Sequence, residues 1–104
     1  MKSPDKDVIM TFRSIPSGNK ADCWVVKLTF PASASASSQL KLSAEDGLGG
    51  VVEHGVFHFM GNEVEIENGR GELPYADFIA GIHEKQVWLI RPGAAPLPGG
   101  LTFE

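Results

Sequence analysis

The sequence predicts a mainly β fold, on the borderline of α+β. We expect five to seven antiparallel strands in meander order, arranged as a sandwich, a half-barrel or a curved sheet, with one short helix. Two observations predict the strands: apolar side chains recur at every second residue, and the runs that carry them are separated by glycine, proline and asparagine. The helix is predicted near residues 74–84, where the apolar period changes.

The size of the chain indicates a single domain over residues 1–104. A chain of 104 residues buries one hydrophobic core and is too short for two. Hydrophobic residues make up 42% of it and charged residues 21%, which is close to the average for globular proteins. The sequence therefore has the composition of a chain that folds by itself.

Two alternating runs near the amino terminus predict the first hairpin. Residues 7–13 place Val8, Met10 and Phe12 on one face of a strand, and residues 23–30 do the same for a second set of apolar side chains, namely Trp24, Val26, Leu28 and Phe30. The segment between these runs contains turn-forming proline, glycine and asparagine residues. We expect the two strands to pair in antiparallel fashion.

Two segments predict connections rather than strands. Residues 31–38 are rich in alanine and serine and offer no side chain that anchors a core, so we expect a flexible loop. Residues 92–100 are rich in proline and glycine and predict a second connection. Residues 101–103, which follow it, predict a final edge strand.

The segment 53–69 predicts a central hairpin whose register can be worked out. With Gly61 and Asn62 as a two-residue turn, the apolar side chains of both strands fall on one face and the polar ones on the other. The predicted pairs are Phe59 with Val64, His58 with Glu65, Phe57 with Ile66, and Val56 with Glu67.

The predicted helix is followed by an apolar strand. The helix would begin near Pro74, and its apolar residues follow a spacing of i, i+3, i+4 and i+7, namely Tyr75, Phe78, Ile79 and Ile82. Residues 85–91 are apolar on both faces, with Trp88 and Ile90 on one of them. Such a strand lies centrally, lies under the helix or contributes one face to an interface.

The hairpin raises the hypothesis of a metal site. His54 and His58 have the same parity on their strand, and the predicted register brings Glu65 opposite His58. Two imidazoles and a carboxylate are a suitable ligand set for zinc, nickel or iron. The alternative is that His58 and Glu65 form a polar pair on a solvated face, with a bulge at Gly55 turning His54 away.

Several other functions lack a signature in this chain. The net charge is −4 and the basic residues form no cluster, so we expect no binding to nucleic acid. The one cysteine, Cys23, excludes an intramolecular disulfide and a cysteine-rich zinc site, and we expect it to be a small buried hydrophobe rather than a nucleophile. The sequence shows no serine-hydrolase elbow, nucleotide loop, signal peptide or membrane span, so we expect a cytoplasmic protein without membrane contact.

The remaining signals favour protein binding. Glu63, Glu65 and Glu67 place three carboxylates on one side of a strand, where they can steer a basic partner, and Trp88 can take part in self-association. We therefore expect a small acidic interaction module without catalytic activity or cofactor, which binds another protein or forms a homodimer. The alternative is a metal-binding or ligand-binding β-barrel, which would use His54, His58 and Glu65 with a divalent transition metal and could be an enzyme.

Overall fold

A computed structural model describes residues 8–30, 39–59, 62–76 and 87–102 of the chain. These residues form one 3-10 turn, Lys20–Asp22, and eight β-strands. The strands are β1 (Val8–Ser14), β2 (Trp24–Phe30), β3 (Gln39–Asp46), β4 (His54–Phe59), β5 (Asn62–Glu67), β6 (Arg70–Pro74), β7 (Val87–Ile90) and β8 (Leu97–Thr102).

The strands close into an antiparallel barrel in the order β1-β2-β3-β6-β5-β4-β7-β8, with β8 paired to β1. The predicted antiparallel, mainly β class is confirmed. The predicted meander order is wrong, because β3 pairs with β6 and the hairpins β4-β5-β6 run back to it as in a Greek key. The sandwich, half-barrel or curved sheet of five to seven strands is replaced by a closed barrel of eight.

Two predicted segments lie largely outside the described residues. The loop at 31–38 is one of them. The helix predicted at 74–84 is the other, and its first residue, Pro74, ends strand β6 instead. Tyr75 and Ala76, which follow Pro74, have helical backbone, and the rest of the predicted helix lies outside the described residues.

The first hairpin is confirmed. β1 and β2 pair in antiparallel fashion with Phe12 opposite Val26, which places both side chains in the core. Asn19 starts the 3-10 turn between them, where its side-chain oxygen accepts a hydrogen bond from the Ala21 N–H at 3.1 Å.

The β4-β5 hairpin forms, but its predicted register is wrong by two residues. Phe57 faces Val64 and His58 faces Glu63, and Phe59 faces Asn62 across the turn. A shift of two residues keeps every side chain on its predicted face, because the side-chain period of a strand is two. The alternation of the sequence therefore fits both registers equally well.

Buried apolar side chains fill the interior of the barrel. Phe57 lies at its centre, with its ring centroid 5.7 Å from that of Phe12 and 5.9 Å from that of Trp24, both in edge contacts. The buried apolar side chains are Phe12, Trp24, Val26, Leu28, Leu40, Leu42, Ala44, Val52, Phe57, Val64, Ile66, Leu73, Val87 and Leu89.

The connection between β3 and β4, residues 47–53, closes one end of the barrel. Val52 in this connection is buried in the core, and its N–H donates to the Ala44 carbonyl oxygen at 3.2 Å. The Oδ1 atom of Asp46 accepts hydrogen bonds from the N–H groups of Leu48 and Gly50, both at 2.8 Å. These bonds fix the path that the chain takes across the barrel end.

Arg91 ties two further segments together at the same end. Its guanidinium group donates hydrogen bonds to the carbonyl oxygens of Ala21 and Asp22, and the bond to Ala21 measures 3.2 Å. The segment after β7 is thereby held against the 3-10 turn.

Strand β8 includes residues 97–100, which the sequence predicts as part of a connection. Gly99 makes this possible because β8 passes very close to the core: a Cβ atom at this position would lie 2.3 Å from the Arg13 carbonyl oxygen and 2.6 Å from the Trp24 ring. The glycine that reads as a turn residue in the sequence is therefore a packing residue in the barrel.

We expect Gly99→Ala to destabilise the protein by about 1 to 3 kcal/mol, because the added methyl group has to displace backbone or the buried indole. Urea denaturation measures the free energy of unfolding. Gly18→Ala is the matched control, since nothing lies within 4 Å of a Cβ atom there, and should change stability by no more than about 0.5 kcal/mol. Equal stability of the two variants would contradict the packing role of Gly99.

Candidate functional site

The outer surface of β5 carries a row of carboxylates. Val64 and Ile66 point into the core, so Glu63, Glu65 and Glu67 point outward, and all three are exposed. Neighbouring carboxylates in this row are about 7 Å apart along the strand. The predicted acidic row is therefore present on the barrel surface.

Strand β4 lies beside this row and adds imidazoles to it. His54 faces Glu67 and His58 faces Glu63. The Nδ1 atom of His58 lies 3.9 Å from Oε1 of Glu63, and the His58 side chain is 34% exposed. This is a solvated polar pair, the alternative that the sequence left open for His58, with Glu63 in place of Glu65.

Strand β7 lies on the other side of β4 and adds large apolar side chains. Trp88 faces His58, and Ile90 faces Val56. Trp88 is 38% exposed, Ile90 is 46% exposed and Val56 is half-buried. We name six outward residues of these three strands the acidic-apolar face, namely Val56, Glu63, Glu65, Glu67, Trp88 and Ile90; His54 and His58 lie outward among them on β4.

A shallow groove follows the face. It has a volume of about 550 Å³, and its lining combines apolar side chains (Val56, Ile90), carboxylates (Glu65, Glu67), His54 and one cation, Arg91; Trp88 lies outside this lining. A polypeptide segment with apolar and basic side chains matches this surface in shape and charge.

The charges of the barrel wall are segregated. In the described parts of β5, β4, β7 and β8, no lysine or arginine points outward. The outward residues of the other four strands include two carboxylates, Glu45 and Glu72, and four cations, Arg13, Lys27, Lys41 and Arg70. The acidic-apolar face therefore has no lysine or arginine on its own strands, and its nearest cations are Arg70 on β6, which faces Glu67, and Arg91 directly after β7.

The structure unites residues that the sequence treated separately. Trp88 was predicted as a self-association residue and the glutamates as a steering row, and both occur on one wall because β4 pairs with β5 on one side and with β7 on the other. Sequence reasoning did not select Ile90 or Val56 as binding residues. Ile90 shares the outward parity of Trp88 on β7, and this parity is the sequence signal that could have identified Ile90 as a binding residue.

The three predicted metal ligands do not converge. His54 and His58 lie four residues apart on an unbroken strand, about 13 Å along its axis, and Glu65 faces Val56 between them. Ligand atoms that share one zinc ion lie about 2 Å from it, so they are close neighbours of one another. Among the described residues, no group of three or more histidine, cysteine, aspartate or glutamate side chains is arranged to hold a metal.

Cys23 lies away from the acidic-apolar face, in the connection before β2. It is half-buried, and its thiol lies 3.9 Å from the Asn19 carbonyl oxygen. Its own carbonyl oxygen accepts a hydrogen bond from the Gly47 N–H at 3.0 Å. Its contacts are thus with the backbone of the turns at the closed end of the barrel.

No helix in the described ranges is both long and apolar enough to cross a bilayer. The chain matches no protein-family model, no curated protein and no solved structure.

Proposed function

We propose that this protein is a non-catalytic interaction module and that its acidic-apolar face binds a partner protein. The partner presents apolar side chains flanked by lysine or arginine. The single observation that carries the proposal is the exposure of Trp88 and Ile90 beside three glutamates on a wall without outward cations.

The apolar part of the face supplies the binding energy. Tryptophan is among the residues most often found at the energetic centre of protein interfaces, because a large rigid ring buries much area for little loss of conformational entropy. Trp88 and Ile90 retain substantial exposed area in the isolated chain. A partner that covers them removes this area from water.

The glutamate row orients the partner protein and raises its rate of association. Three exposed carboxylates on one strand attract a basic surface over about one Debye length, which raises the rate of encounter at low ionic strength. Exposed carboxylates contribute little to the final affinity by themselves. The two parts of the face therefore have separable roles: the glutamates govern association and the apolar side chains govern dissociation.

The charge of the face favours a different protein over a second copy of this chain. A symmetric homodimer through the face would bring two identical glutamate rows to one interface. Like charges across an interface oppose binding. A basic partner gains from the same carboxylates, so we place it first and treat homodimerisation, like a cytoplasmic location, as a further proposal.

The alternative of a metal-binding or ligand-binding barrel that uses His54, His58 and Glu65 has less support, because the two histidines lie about 13 Å apart along β4 and Glu65 faces Val56 between them. A metal that binds the folded state raises the thermal unfolding midpoint. A rise with zinc, nickel or ferrous iron that His58→Ala abolishes would restore this alternative.

We expect the triple variant E63Q/E65Q/E67Q to associate about tenfold more slowly with a synthetic peptide of alternating lysine and leucine at low salt, because the steering field is lost. Biolayer interferometry at two ionic strengths measures the association rate. The matched control is E45Q/E53Q/E72Q, which removes three exposed carboxylates elsewhere. If both triple variants slow association equally, net charge rather than the glutamate row does the steering.

We expect Ile90→Ala and Trp88→Ala each to weaken binding of the same peptide by about tenfold or more, mainly through faster dissociation. Ile9→Ala is the control for Ile90→Ala, because Ile9 is also an exposed strand residue, at 59%, and lies outside the face. Sedimentation velocity of the unbound protein tests homodimerisation in parallel. Peptide affinity that is unchanged in both face variants would refute the assignment of the binding surface.

A further inference from the structure

A second surface lies on the wall formed by β2, β3 and β6. The register places outward side chains in two adjacent rows across these strands. The first row reads Lys27, Ser43, Arg70 and continues to Glu67 on β5, and the second row reads Thr29, Lys41 and Glu72.

Three cations surround the hydroxyl group of Ser43. Lys27 and Arg70 are its direct neighbours on the two flanking strands, at Cβ distances of about 5 Å, and Lys41 is two residues away on β3, about 7 Å along the strand. Lysine and arginine side chains are long enough for all three to reach one point above Ser43. Within the described ranges, none of the three forms an ion pair.

A cavity of about 600 Å³ lies at the same place. Its lining includes Thr29, Lys41, Ser43 and Arg70 together with two carboxylates, Glu72 opposite Lys41 and Glu67 opposite Arg70. This volume lies within the range of small-molecule sites, which extends from about 300 to 1,000 Å³.

We propose that this cavity binds a small phosphorylated molecule that also carries hydroxyl groups, such as a sugar phosphate. The phosphate group lies between Lys41 and Arg70, which line the cavity, and accepts a hydrogen bond from Ser43. Lys27, beside Ser43 on β2, lies outside the lining and adds positive charge nearby. Arginine binds phosphate oxygens in a bidentate manner, and lysine and hydroxyl groups complete the donor set.

The two carboxylates select the rest of the ligand. Glu67 and Glu72 are acceptors, so they bind the hydroxyl hydrogens of a sugar and repel additional phosphates. This arrangement favours a single phosphate with a polyol on one side, and it disfavours nucleic acid. The site is independent of the protein-binding face, with which it shares only Glu67 at the boundary.

Titration of the ¹⁵N-labelled full-length protein with ribose 5-phosphate, followed by NMR, tests the proposal. We expect saturable shifts of the amide signals of Thr29, Lys41, Ser43 and Arg70, with weaker binding of inorganic phosphate and none of ribose. Shifts that never saturate, or shifts with no common location in the cavity, would overturn the site. Equal affinity for inorganic phosphate and ribose 5-phosphate would overturn the assigned ligand class.

Four variants assign the roles of the side chains. We expect Lys41→Gln and Arg70→Gln each to weaken ribose 5-phosphate binding about tenfold, because each removes one charge-assisted hydrogen bond. The control Lys20→Gln, an exposed lysine in the 3-10 turn, should change affinity less than about twofold. Glu72→Gln should weaken ribose 5-phosphate binding but strengthen inorganic phosphate binding. A loss with Lys20→Gln equal to that with Lys41→Gln would show unspecific attraction and refute the proposal.

Discussion

The packing of Trp24 in the middle of the barrel is the constraint on which the rest of the structure depends. Its side chain is 1% exposed, its ring contacts that of Phe57, and its Nε1–H donates to the Leu97 carbonyl oxygen at 3.0 Å. Burying such a ring removes about 200 Å² from water, worth up to about 5 kcal/mol. The hydrogen bond joins β2 to β8 across the interior, and Gly99 gives the ring the space that it needs.

Closure of the barrel decides where binding can occur. The sheet closes on itself, with β5 and β6 paired only through Glu67 and Arg70, so we propose that side chains on the outer wall make the contacts with a partner. The wall carries its charges in two separate regions, one acidic and apolar and one with cations around Ser43. The two proposed surfaces adjoin at Glu67, which faces Arg70.

Sequence reasoning recovered the features that depend on local alternation. It placed Phe57 inward, Trp88 and Ile90 on one face, and the glutamate row outward, because the side-chain period of a strand fixes these relations. It missed the register of the β4-β5 hairpin by two residues, since the same alternation fits both pairings. The metal hypothesis depended on the predicted register, which placed Glu65 opposite His58. It also depended on the shared parity of His54 and His58, without considering how far apart they lie along the strand.

The sequence by itself determined which side of each predicted strand is apolar, but it did not identify β6 or residues 97–100 of β8 as strands, because their glycine and proline residues are typical of turns. The tertiary structure alone decided the strand order, the closure of the sheet and the neighbours of each outward side chain. These properties depend on contacts between residues far apart in the chain, which no local pattern encodes. Trp88 and Glu63 lie on the two sides of β4 because β4 pairs with both β7 and β5. Arg70 lies beside Ser43 because β6 pairs with β3.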